Sequence, residues 1–210
     1  MKHKVFSSNF DIRKNAYMNW RTDKDDIARN FLTLGSGFKE AANILINDIL
    51  IDNSSKQADI LVFPILYSIN QSIELYIKAI LYNLKTIKPN RFIDIYGHDI
   101  RELFDDMVYQ IENIEGTLND FYNAVESLVS YIKELYSFIE TEDGKLQMEF
   151  ARYPVNRNND PYFYIAQYEN VVVDVENLLT WYDGIMDSLE GIYLKYEHEM
   201  EENNDTTNRG

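Results

Sequence analysis

Apolar residues return at steps of three and four along most of the chain, and that spacing predicts helices. The first begins near Asp25, with Ile27, Phe31, Leu34, Phe38, Ala42, Leu45 and Ile49 on one face. Gly35 and Gly37 lie inside it and are expected to weaken or bend it, because glycine is a poor helix former. The string DNSSKQ at 52–57 carries stop and restart signals. A second helix follows from about Ala58 to about Lys85, written in Leu66, Ile69, Ile73, Ile77, Ile80 and Leu84. Pro64 either opens its main part or kinks it, having no backbone N–H to donate. Asn90 to Gly97 then connect to a shorter helix bearing Ile100, Leu103, Phe104, Met107 and Ile111.

Two later segments are more regular. Leu118, Phe121, Val125, Leu128, Ile132, Leu135 and Ile139 alternate steps of three and four, as do Val172, Val175, Leu179, Tyr182, Met186, Leu189, Tyr193 and Tyr196. A mean step of 3.5 lets two helices pack lengthwise at a shallow angle. An antiparallel pair within one bundle is expected, with a coiled coil to a second subunit as the alternative. Between them the period breaks: KLQMEFARYPV alternates from Lys145, NRNND at 156–160 is turn chemistry, and PYFY at 161–164 reads as a returning strand. The expected fold is therefore mainly α, an up-and-down bundle of about five helices with a small β-hairpin insertion at 145–164. Residues 1–24 form an N-terminal arm and 25–200 the helical domain. Residues 201–210 form a tail without apolar content, expected to be disordered.

Composition narrows the function. At 210 residues the chain can bury a sizeable core, and only 8 Gly and 4 Pro disfavour a turn-rich all-β fold. The absence of cysteine excludes disulfides, thiolate zinc sites and cysteine nucleophiles. A formal charge of −15 opposes long-range attraction to RNA, nucleotides or an anionic membrane, so any such ligand needs a local basic patch. The arm is the basic exception, with Lys2, Lys4, Arg13, Lys14, Arg21 and Lys24 against Asp11 and Asp23. It reads as a solvated arm, or more sharply as an anion contact. MKHKVFSSNF lacks the apolar stretch of a leader, and Ile60 to Leu66 is too short to cross a bilayer. The expected location is cytoplasmic.

Few chemical constellations survive. His198 in EHEM has no partner at ligand spacing, HDIRE at 98–102 is not HExxH, and Glu-x-x-His does not occur. No metal and no cofactor is expected. The glycine-rich phosphate and dinucleotide motifs and the serine-hydrolase elbow are also absent. What remains is Glu74 four residues before Lys78, in the favourable order for a helix ion pair, and His98 at a helix start. The bland alternatives are a solvated pair and a capping histidine. Arg152, Tyr153 and Arg157, near Phe150, Tyr162, Phe163 and Tyr164, combine guanidinium groups with aromatic surface. Such residues are enriched at binding hot spots and stack on nucleobases, or they cover the end of the bundle.

The strings SIELYIKAIL (72–81) and GHDIREL (97–103) resemble the HEPN proteins, small prokaryotic helical bundles. The matching positions are Glu74, Lys78, Ala79, His98, Asp99, Ile100 and Leu103. The resemblance implies a four- or five-helix bundle that often dimerises and works in toxin–antitoxin, abortive-infection or CRISPR-associated systems. Many members are metal-independent RNA endonucleases with an Arg-x4–6-His motif near the start of a late helix, and others are binding or regulatory modules. Here Arg91 and His98 have that spacing, but in the connector before the third helix. No histidine stands between residues 99 and 197. The expected function is thus an interaction or regulatory protein of a bacterial defence or toxin-type system, as a homodimer or with a protein partner. Glu74, Lys78, Arg152, Tyr153 and Arg157 are its binding candidates. The alternatives are a ribonuclease using Arg91 and His98, with Tyr96 assisting, and a nucleotide- or ligand-sensing bundle.

Overall fold

A computed structural model describes residues 4–88, 95–141, 144 and 146–208. Among them are seven α-helices and no strand: α1 (Ile27–Ile51), α2 (Ala58–Ile87), α3 (Ile100–Glu115), α4 (Asn119–Ala124), α5 (Glu126–Ile139), α6 (Phe163–Ala166) and α7 (Val175–Asn208). The five long ones answer to the five apolar stripes. The expected β-hairpin is not there.

The hairpin fails for a local reason. Backbone N–H groups of Phe150, Arg152 and Tyr153 donate to carbonyls of Gln147 and Glu149, so the segment coils through consecutive turns. Only isolated bridges form, at Glu140–Leu146 and Val155–Pro161. Pro154 and Pro161 cannot donate to a ladder. Buried Phe150 and Tyr162 draw the segment down onto the bundle instead of letting it project.

α2 lies at the centre. Ile65, Ile69, Ile73, Ile77, Ile80 and Leu84 are buried, and Pro64 is carried inside the helix. Among the described residues it is the one helix long and apolar enough to cross a membrane, but much of that stretch is buried inside the bundle. α1 packs antiparallel on it: Phe31 stacks on Tyr82, while Phe38 meets Tyr67 edge-on. Gly35 is no weak point in this helix. It lies under Tyr76, and a Cβ there would stand 2.8 Å from the ring.

α7 runs parallel to α2. Ser72 Oγ lies 2.7 Å from Tyr182 OH, and Tyr76 OH donates to Glu190 at 3.0 Å further along both helices. α5 runs antiparallel to α7, as the heptads predict. Ser188 reaches Ala124 O at one end, and Leu135 and Phe138 share a groove with Leu178 and Trp181 at the other. The stripe 118–139 is not one helix, however, because the backbone breaks at Val125 between α4 and α5. Val125 itself stays buried.

α3 departs from simple up-and-down order. His98 and Gly97 bond to Glu74 and Lys78, whereas Asn113 near the far end of α3 accepts from Lys88 Nζ at 2.7 Å. α3 therefore runs parallel to α2, beginning beside the middle of that helix and ending beside its last turn. At the chain ends, the stretch from residue 201, expected as a disordered tail, is helical as far as Asn208. The arm from Lys4 to Lys24 lies outside the core, with Phe6, Phe10 and Trp20 exposed. Thr33 Oγ1 on α1 donates to Arg21 O and pins its end.

Candidate functional site

Polar residues recur inside the apolar surface of α2. Asn70, Gln71, Glu74 and Lys78 follow the helical repeat, so they share one side and meet the start of α3. Glu74 is 4% exposed at its side chain and Lys78 10%, so their pair is not the solvated one a surface helix would show. Lys78 Nζ donates to Glu74 Oε1 at 2.8 Å and to Gly97 O at 2.7 Å. His98 Nδ1 lies 2.8 Å from the same Oε1, and Gln71 Nε2 donates to Oε2 at 3.2 Å. Every charge taken out of water here has a partner, as burial demands.

The turn before α3 is shaped to deliver these groups. Gly97 has φ +81, a left-handed conformation that a side chain would strain. Asp99 then caps the helix, accepting from the N–H groups of Arg101 and Glu102 at 2.9 and 3.2 Å. Tyr136 OH on α5 also bonds to Asp99, and the Arg101 guanidinium lies 4.4 Å above the Tyr136 ring. Arg101 further pairs with Glu140 at 3.0 Å, and that hydrogen bond raises its pKa. Burial and the bond to Asp99 hold the Tyr136 phenol protonated well above the usual range.

His98 is a bonded but open residue, its side chain 83% exposed. Its Nδ1 faces the Glu74 carboxylate, and the rest of the ring stands in solvent. Beside it opens a pocket of about 120 Å³ lined by Tyr67, Asn70, Gln71, Glu74, His98 and Arg152, among others. Arg152 bonds Glu149 at 3.1 Å and stands 5.6 Å from the Tyr67 ring. A buried carboxylate, an imidazole that it orients and a guanidinium thus share one pocket. Such a set can hold an anionic group or pass a proton.

Of the sequence candidates, Glu74, Lys78, His98 and Arg152 come together. Tyr153, whose ring stands 5.6 Å from the Arg152 guanidinium, and Arg157 line a separate depression with Glu149, Asn156 and Asn159. Arg91 lies outside the described residues. Gln71, Asp99 and Tyr136 were missed as site residues, although polar Asn70 and Gln71 one turn before Glu74 already mark a polar strip on an apolar helix. Among the described residues no group of three His, Asp or Glu side chains converges as a metal site would require. A second, apolar groove of about 270 Å³ runs between α5 and α7, with Tyr131, Phe138, Phe163 and Trp181 in its lining.

No protein-family model matches the chain, and no curated protein and no solved structure matches it.

Proposed function

We propose that the protein is an HEPN-like interaction or regulatory module of a bacterial defence or toxin-type system, without nuclease activity. One observation carries this reading. The residues that bear the resemblance, Glu74, Lys78, His98 and Asp99, are occupied in bonding to one another and to the backbone, and together they fasten α3 to α2. Residues so engaged build a scaffold. The surface left over for a partner is the exposed edge of the 146–164 segment, where Arg152, Tyr153 and Arg157 stand in solvent.

A specific observation favours a second reading. His98 is exposed, oriented by Glu74 and beside Arg152, a set able to serve metal-independent RNA cleavage with Arg152 in the role expected of Arg91. The two separate in one experiment. Purified protein is incubated with RNA in excess chelator, and is co-expressed with the product of the gene beside its own. Under the first reading RNA stays intact, and a complex forms that Arg157→Glu weakens at least tenfold. Chelator-resistant cleavage that disappears in a normally folded His98→Ala variant overturns it.

A further inference from the structure

A buried amide in the pocket beside His98 is held by one end and free at the other. Asn70 is 7% exposed, and Tyr131 on α5 donates to its Oδ1 at 2.7 Å. That bond turns Nδ2 away from Tyr131, and among the described residues nothing accepts from it. The unbonded side-chain atoms sealed from water are Asn43 Oδ1 and Asn83 Nδ2, so the nitrogen of Asn70 is not sealed. It opens onto the pocket that Asn70 lines with Glu74, His98 and Arg152. Buried amides usually have their donors bonded, and this one is fixed in place with both N–H groups unused.

The rest of the wall selects the chemistry. Glu74 is already engaged, with Lys78 and His98 on its Oε1 and Gln71 donating to its Oε2. Arg152 is only half engaged. Among the described residues its one bond runs from Nη2 to Glu149, and that pair is 42% and 37% exposed. A surface pair of this kind yields to a ligand at small cost. The unused donors are thus an amide and most of a guanidinium, beside an apolar wall of Ile100, Met148 and Ala151. A guanidinium fork fits the two oxygens of a carboxylate, and the apolar wall suits the carbon next to it. Gln71 Oε1 accepts from no described residue, which leaves an acceptor for an N–H beside that carboxylate.

Size and charge then decide what bears the carboxylate. A volume of about 120 Å³ is roughly four water molecules' share of the liquid. That is room for a carboxylate with a short aliphatic side chain, and too little for a nucleotide. A protein of charge −15 repels a polyanion, but attracts a basic polypeptide that carries a single carboxylate at its end. The residues before such an end also have a track. Tyr153, 5.6 Å from Arg152, leads into the depression of Glu149, Asn156 and Arg157 on the same segment.

We infer that this pocket captures the C-terminal carboxylate of a basic partner polypeptide whose last residue is small and apolar. Arg152 and Asn70 Nδ2 hold the carboxylate, Gln71 Oε1 accepts the last peptide N–H, and Ile100, Met148 and Ala151 take the side chain. The inference deepens the interaction module proposed above and rests on that reading for the existence of a partner.

Fluorescence anisotropy of the full chain with labelled, lysine-rich hexapeptides ending in alanine, valine or leucine tests the capture. At least one free-acid peptide should bind saturably, and amidating its terminus should weaken binding at least tenfold. Arg152→Gln should weaken it at least fivefold, and Ala151→Leu, which fills the cavity, should abolish it, both with the helical circular dichroism retained. Asn70→Ala should weaken it as Arg152→Gln does. Because it also strips Tyr131 of its acceptor, the exposed Arg152 carries the test if that variant fails to fold. N-acetylvaline and inorganic phosphate should compete far more weakly than unlabelled peptide. No saturable binding, equal binding of free and amidated peptides, or indifference to Arg152→Gln would each overturn the capture. Competition by phosphate or N-acetylvaline as strong as by the peptide would overturn it too, assigning the pocket to a free anion. These failures leave the partner complex and the RNA assay as they stand, while RNA cleavage there would strike the functional reading without changing this titration.

Discussion

Lys78 and His98 show how unequally two partners of one carboxylate, Glu74, can matter. Lys78 neutralises a carboxylate that is almost wholly buried, while His98 touches the same oxygen from the solvent side. Lys78→Met removes the cation and leaves both the Glu74 charge and the Gly97 carbonyl short of a donor. Truncating one member of a buried pair typically costs about 3 kcal/mol or more, a large part of an ordinary domain's stability. His98→Ala loses one bond whose donor side is already hydrated, and about 1 kcal/mol or less is expected. Urea denaturation of the two variants checks the ranking. A larger loss for His98→Ala would mean that the imidazole, not the ammonium, holds α3 in place. The pair itself was legible as an i, i+4 spacing, but its burial was not. A spacing rule sees only the helix on which the residues stand, and the cover comes from Gly97 and His98 on another element.

At the level of the element, α3 owes its position to the residue that caps it, Asp99. Asp99 satisfies two free N–H groups of the helix and accepts from Tyr136 on α5, so one side chain both starts α3 and ties it to its neighbour. Asp99→Ala should cost about 1–2 kcal/mol, and hydrogen exchange should accelerate in the first turn of α3 ahead of the rest. Asp99→Asn keeps a capping oxygen and should recover most of the loss. Equal exchange in both variants would remove the cap from the explanation. The helices were readable to the extent that their large apolar residues face inward. In α7 the expected stripe does so from Tyr182 onward, with Tyr182, Met186, Leu189, Tyr193 and Tyr196 all buried. In α1 the reading mixed two faces: Ile27 and Leu34 point out, while the packed face includes Ala28, Gly35 and Ile46. Ala28 and Gly35 carry almost no hydrophobic signal, because what they offer is closeness. The false hairpin has a similar origin, since alternation describes side chains and says nothing of where backbone N–H groups find acceptors.

Across the whole molecule, tyrosines tie the helices together through their hydroxyls. Tyr131 donates to Asn70 at 2.7 Å, Tyr182 meets Ser72, and Tyr196 bonds Glu115. Burial raises the pKa of each, and also of Tyr136 and Tyr193, while Tyr76 is pushed up to about 12. A phenol that ionises less readily in the folded chain than in the unfolded one stabilises the fold fully below pH 10. That stability drains away between pH 10 and the folded values. The protein should therefore unfold cooperatively in alkali. Absorbance of tyrosinate and loss of helical circular dichroism should rise together for this group. Ionisation of all tyrosines while the helical signal stays intact would show that the hydroxyls do not hold the bundle. None of this network was visible in the sequence, where 16 tyrosines differ only in neighbours. The direction of α3 was equally hidden, since a connector's length permits a return without requiring one.

The parallel contact between α2 and α7 has a consequence for how the chain is made. Ser72 and Tyr182 are separated by 110 positions. At a ribosome adding ~5–20 residues per second, the central helix emerges roughly 5–20 s before the one that covers its flank. During that interval α1 can close on α2 as a local hairpin, but the side destined for α7 stays bare. The nascent protein thus passes through a stage with a sticky, half-clothed core helix. Its yield in a cell is set by what shields that helix before the last segment arrives.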